Sequence, residues 1–209
     1  PGQNGPDTVG LRSNGQGFDL NRDYIKQDSP ETLAAHRFLA EWDPDLFMDL
    51  HTSNGSYHGY QLTWSPGLNP NYTPVNAWVQ DTVLPSIRQR LRSRWKVESF
   101  PYGNFRNQDP DSLVQGWWTY ESVPRFGTNL MGMSRASILS EAYSNDPFYK
   151  RVASTYAFVV ETMRYFAENA ATLRNRMERT IAHRPDSVAV RSTFAPGRPD
   201  TVVAEITRA

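Results

Sequence analysis

Two short apolar runs constrain this chain most: LFMDLHT (46–52) and the centre of RASILSEAYS (135–144), around Ile138 and Leu139. Each is too short for a stable helix and rich in large aliphatic residues, so each reads as a buried strand. Helical patterns flank them. DSPETLAAHRFLAEW carries the start signals of a helix, with Ser29 as N-cap, Pro30 at the first position and Glu31 in the first turn. Leu33, His36, Phe38, Leu39 and Trp42 supply its apolar side. Residues 74–95 form a second helical pattern, bent or interrupted at Pro85. A third runs from Pro147 to about Arg179, where Phe148, Val152, Tyr156, Val159, Val160, Met163 and Phe166 keep helical spacing and mark the expected buried side. KVESF is a further candidate strand. Residues 1–17, those from 53 to about 73, and 101–116 read as loops. Strands alternating with helices predict a layered α/β domain. Past residue 182 the pattern changes: SVAVRSTFA and DTVVAEITRA flank PGRP and read as two strands of a hairpin, or the start of a small β module. The expected division is therefore 1–182 and 183–209.

Composition removes several function classes. The 209 residues carry 22 basic and 22 acidic side chains, so no bulk charge favours nucleic acid or an anionic membrane. No apolar stretch approaches the roughly 20 residues of a membrane span. Cysteine is absent, so a metal here is held by the four histidines and the carboxylates.

Three polar clusters follow apparent strand ends, where ligands gather in open α/β sheets. In FMDLHTSNG, His51 ends an apolar run; it is either a half-buried histidine satisfied by one hydrogen bond or a group reaching into a cleft. In SILSEAYS, Glu141 follows an Ile-Leu pair, as a paired structural acid or a general base with a raised pKa. In GFDLNRDY (17–24), Arg22 offers a donor fork suited to a carboxylate, Asn21 adds a neutral donor, and Asp19 can hold the far nitrogen of a metal-bound histidine. The bland alternative for that stretch is a turn closed by its own Asp and Asn side chains.

In order and context, GFDLNRDY, DLHT and LSEAYS resemble the M14 zinc carboxypeptidases, over roughly residues 1–170. PGQNGPDTVGLRSNGQGFDLNRDY and PRFGTNLMGMSRASILSEAYSNDPFYKRV look like a bacterial branch of such peptidases. The resemblance implies a three-layer α/β/α domain with a mixed central sheet, and a Zn²⁺ cofactor. It makes His51 a zinc ligand and Glu141 the base that takes a proton from zinc-bound water. Arg22 and Asn21 become the grip on the substrate's terminal carboxylate, and Asp19 the acid behind a zinc-ligating histidine. Arg12, at a different spacing, becomes the group that polarises the scissile carbonyl. Tyr120 matches the family's substrate-contacting tyrosine, with Tyr102 as the alternative; Tyr120 can equally pack against Trp117 and Trp118.

One motif is missing. The family takes two zinc ligands from HxxE, which this sequence lacks: His36 is followed by RFLAE, His58 by GYQ and His183 by RPD. His58 is expected to line a loop. The implied picture is a piece of a longer exopeptidase, inactive by itself, secreted or periplasmic as many bacterial relatives are. Its partner is a peptide, or an acyl-amino acid, with a free carboxylate. Two other readings stand beside it: a zinc deacylase of N-acyl amino acids, and a non-catalytic module that binds peptide carboxylates through Asn21 and Arg22. Oligomeric state and side-chain preference are not legible.

Overall fold

A computed structural model describes residues 12–71, 73–107, 116–190, 192–195, 197 and 200–204. A four-stranded sheet lies at its centre, built from β1 (Leu46–Thr52), β2 (Leu62–Pro66), β3 (Ser99–Pro101) and β6 (Ala136–Ala142) in the order β1-β6-β2-β3. β1 and β6 run parallel, β2 is antiparallel to β6, and β3 is parallel to β2, so the sheet is mixed as expected. Two further short strands, β4 (Asn104–Phe105) and β5 (Trp117–Trp118), pair apart from it. β2 and β4 fall in segments that the sequence presents as loops, and β5 lies just past the second of them. Pro66 and Gly67 end β2 after five residues, too short a stretch for its alternation of Leu62 and Trp64 with Thr63 and Ser65 to stand out.

Register divides the sheet into two chemically different faces. Leu46, Met48, Ala136, Ile138, Leu62 and Trp64 share one face and enter the main core. Helical residues between 75 and 91 and between 157 and 177 supply the rest of that core. α1 (Pro30–Trp42) is capped by the Ser29 side chain, which accepts from the Thr32 N–H, as predicted. Residues 74–95 form one helix with two changes of winding: α2 (Pro74–Trp78), a π turn at Val79–Val83, α3 (Leu84–Arg90) and a second π turn at Leu91–Trp95. The first π turn stands immediately before Leu84-Pro85, where it accommodates the missing N–H and the ring of the proline. Val75, Val79, Val83, Leu84, Ile87 and Leu91 of this helix are fully buried. The other sheet face receives α4 (Gly127–Met131), whose Thr128 carbonyl accepts from the Ser137 hydroxyl at 2.8 Å. Helices thus lie on both faces.

α4 is seated through two glycines. A Cβ on Gly132 would lie 2.9 Å from the Gly67 Cα and 3.0 Å from the Thr128 carbonyl oxygen, both rigid backbone. Gly132→Ala is therefore expected to destabilise the fold by about 1–3 kcal/mol, as overpacking does. Urea unfolding would show it as a lower midpoint at unchanged slope; an unmoved midpoint would mean that α4 has room to shift.

Two expectations need correction. The long C-terminal helix is two, α5 (Phe148–Glu168) and α6 (Ala170–Ala182), broken at Asn169. On α5 the stripe of Phe148, Val152, Tyr156 and Met163 is exposed, while Ala157, Phe158, Glu161, Tyr165 and Phe166 are buried. Glu161 tolerates full burial because Arg94, Arg164 and the Trp95 indole N–H all donate to its carboxylate at 2.9–3.0 Å. That network holds its pKa low in spite of the desolvation that pushes the other way. On α1, likewise, Phe38 and Trp42 are exposed. The exposed stripe of α5 borders β1, whose outer edge pairs with no strand among the described residues. Of the expected C-terminal hairpin, residues 191, 196, 198, 199 and 205–209 lie outside the described residues. Ala189 exchanges hydrogen bonds with the Asn71 side chain, and Val203 bonds Gly59 and the Tyr60 hydroxyl.

Candidate active site

The second sheet face carries Asp49 and His51 from β1, Leu139 and Glu141 from β6, and Thr63 and Ser65 from β2. Here strand register does the chemical work. His51 is paired with Glu141 in adjacent parallel strands, so their Cα atoms stand about 5 Å apart and their side chains leave the sheet on the same side. Both lie at the carboxyl ends of their strands, where open α/β sheets bind ligands. Loops then build a cleft of about 440 Å³ over the pair, a size suited to a small ligand or a peptide end.

Seven of the residues singled out in the sequence line this one cleft: Arg12, Asn21, Arg22, His51, Tyr102, Tyr120 and Glu141. Sequence separations of up to 129 residues collapse into it. The GFDLNRDY stretch is not a strand end, however. Leu20–Arg22 form a single 3₁₀ turn capped by Asp19, whose carboxylate accepts from the Asn21 N–H. Asp19 also pairs with Arg12 at 2.5 Å and holds that guanidinium at the rim. Asp23 faces the other way, buried, and accepts from the backbone N–H groups of Asp28 and Ser29. Those bonds anchor the entry to α1 and outweigh burial, so its pKa is lowered. The four polar residues of the stretch thus divide the labour: Asp19 and Asp23 shape the turn, while Asn21 and Arg22 face the cleft. The Arg22 guanidinium lies 4.4 Å from the centre of the Phe126 ring. Burial and the neighbouring Arg12 charge lower its pKa, and a guanidinium stays ionised through such a shift.

The acid that holds a histidine here is Asp49, which the sequence reading passed over. Its Oδ1 lies 2.7 Å from His51 Nε2, and its Oδ2 accepts from the Thr128 hydroxyl at 3.0 Å. The signal that finds it is the strand period: Asp49 stands two residues before His51 and so on the same face. Burial disfavours the imidazolium, but the hydrogen bond and charge of Asp49 more than offset this and raise the His51 pKa. Engaging one ring nitrogen leaves the other for a ligand.

Glu141 is buried, and its Oε2 has no hydrogen-bond partner among the described residues. Desolvation raises its pKa to about 8, with His51 and Arg12 opposing and Asp49 adding to the rise. A carboxyl held near neutrality in a cleft is suited to proton transfer. Tyr102, on the opposite wall, is pushed up to about 12 by burial and by Glu141, so it is a neutral donor. Tyr120 packs between Tyr102 and Phe126, and not on Trp117 or Trp118, with ring centres 5.6 and 5.3 Å away. Burial raises its pKa as well.

No three His, Cys, Asp or Glu side chains converge to hold a metal ion among the described residues. The side chains present therefore do not make a zinc site by themselves, since a catalytic one needs three protein ligands. His58, buried against Tyr60, Trp117 and Tyr143, lies among aromatic rings and does not line the cleft.

No helix among the described residues is long and apolar enough to cross a membrane. Neither a family model nor a curated protein matches the sequence. Among solved structures, the chain is similar to a metallo-carboxypeptidase from Burkholderia cenocepacia, with 17% identity and a TM-score of 0.51. The match covers 76% of this chain and 40% of that one, so the chain spans well under half the length of the protein it resembles. What the likeness shows is the architecture: a mixed α/β domain with a carboxypeptidase-like fold.

Proposed function

We propose that this chain is the part of a zinc-dependent metallocarboxypeptidase that carries the base, one metal ligand and the carboxylate anchor. The complete protein would remove the C-terminal residue of peptides. The observation that carries this reading is the in-register pairing of His51 with Glu141 at the ends of two parallel strands, facing a cleft that also holds Arg22. The fold of the metallo-carboxypeptidase neighbour supports it. His51 supplies one ligand, and the remaining two come from residues beyond those described. A secreted or periplasmic location goes with the reading.

Each side chain has a task that its surroundings suit. Glu141 takes a proton from the attacking water and returns it to the leaving amine; its place beside His51 at the strand ends puts its carboxylate within reach of both. Arg22, stacked on Phe126, grips the terminal carboxylate with two parallel N–H donors, and Asn21 adds a third. Arg12, fixed at the rim by Asp19, faces the negative charge that develops on the carbonyl oxygen.

The test uses the zinc-loaded complete protein with peptides that differ only in a free or amidated C-terminus. Free termini should be strongly preferred. Arg22→Ala should raise KM for them by about 10- to 100-fold, the worth of charge-assisted hydrogen bonds to a carboxylate, with little change for amidated peptides. Equal use of both termini by the unsubstituted protein would end the exopeptidase reading.

A further inference from the structure

We propose that Asn129 is a positioning residue for Tyr120: it tethers the segment 119–125, one wall of the cleft, and through Tyr120 sets how tightly substrate is held. Asn129 lies on α4 and is 1% exposed. A side-chain amide offers two donors and an oxygen with two lone pairs, and here all are used. Its Nδ2 donates to the carbonyl oxygens of Glu121 at 2.8 Å and Val123 at 3.0 Å. Its Oδ1 accepts from the Leu68 N–H at 2.8 Å and from the Tyr120 hydroxyl at 3.3 Å. The same hydroxyl reaches the Pro66 carbonyl oxygen at 3.5 Å.

The segment needs such a tether. Residues 119–125 form no helix or strand, so their backbone groups depend on side-chain partners. Yet Thr119, Tyr120, Glu121 and Arg125 all line the cleft. One buried amide therefore fixes the path of the wall and the direction of the Tyr120 hydroxyl together. The adjacent residue, Thr128, binds Asp49 on the sheet, so α4 joins the wall of the cleft to its floor. Asn129 itself bonds neither His51 nor Glu141, which stand on paired strands. Loss of the tether should thus weaken binding and leave the chemical step nearly intact.

The kinetic arm of the test rests on the carboxypeptidase reading; the exchange arm does not. KM and kcat are measured on the zinc-loaded complete protein with an N-acylated dipeptide bearing a free C-terminal carboxylate. Amide hydrogen exchange is followed over residues 119–125. Asn129→Asp keeps the shape and the Oδ1 acceptor but replaces the nitrogen that carries both donors by an oxygen facing the two carbonyls. It should raise KM about tenfold, with kcat changed less than about threefold, and speed exchange in the segment. Tyr120→Phe should raise KM by itself. The double variant should be no worse than Asn129→Asp alone, within about twofold, because loss of the tether has already misplaced the Tyr120 hydroxyl.

An unchanged KM in Asn129→Asp, or full addition of the two single effects, would overturn the proposal; a merely structural Asn129 would give that addition. If Asn129→Asp does not fold, Tyr120→Phe decides, and unchanged KM and exchange in that variant count against the tether. If the unsubstituted protein cleaves no such dipeptide, the carboxypeptidase reading fails. Exchange then still judges Asn129, and protection that survives Asn129→Asp refutes its role.

Discussion

Glu141→Gln in the zinc-loaded complete protein should lower kcat by about 10²–10⁴-fold, the usual worth of a general acid–base group, with little change in KM. Gln nearly matches Glu in shape, so the strand register that brings position 141 beside His51 should survive. What Gln lacks is a site that takes a proton from water and gives it up again. The Glu141 carboxyl is placed for that exchange, buried with one oxygen unpartnered among the described residues. Circular dichroism and zinc content should match the unsubstituted protein. Turnover within a few-fold of normal would remove Glu141 from the role of base.

The same substitution should have an opposite effect on the stability of the metal-free chain. The folded pKa of Glu141, about 8, lies above the ordinary carboxylate range it has when unfolded. Between those values the folded state binds the proton more tightly than the unfolded state does. This contribution to stability is therefore complete at about pH 4 and is lost as pH rises toward 8, amounting to about 3 kcal/mol by pH 7. His51 works in the same direction, because its folded pKa is also raised. Asp23 and Glu161 are depressed and act oppositely, with stability lost only as pH falls through their folded values. Urea unfolding of the 209-residue chain should thus show stability declining from about pH 5 to pH 8. Glu141→Gln should flatten most of that slope and raise stability at pH 7. A profile that rises over this range, or one that Gln leaves unchanged, would show that Glu141 is ionised at neutral pH.

Local signals reached far into this chain. β1 falls within the predicted run at residues 46–52, because large apolar residues bounded by a turn and a Gly-containing loop leave few alternatives. The start of α1 was equally legible, since Ser29 and Pro30 act through the backbone next to them. GFDLNRDY shows where legibility fails. Its side chains announced a functional turn, but only the fold separates Asn21 and Arg22, which face the cleft, from Asp23, which is spent on the entry to α1. Asp49 was within reach through the strand period, yet a residue inside an apolar run draws attention only once its Thr128 and His51 partners are known.

By itself, then, the sequence determined the places of β1, β6 and the start of α1, and that ionisable residues end two strands, because caps, turns and periodicity act over a few residues. The tertiary structure alone decided which faces meet. The apolar stripe of α5 has ideal helical spacing, but spacing says nothing about the partner, and Phe148, Val152 and Tyr156 stand exposed beside the edge of β1 that pairs with no strand among the described residues. Glu161, on the side that is buried, reads as a surface acid until Arg94 and Trp95, more than sixty residues earlier, supply its hydrogen bonds. The pairing of His51 with Glu141 has the same origin. It depends on the register between two strands ninety residues apart, and register is set by the burial of whole faces, which no local stretch of sequence contains.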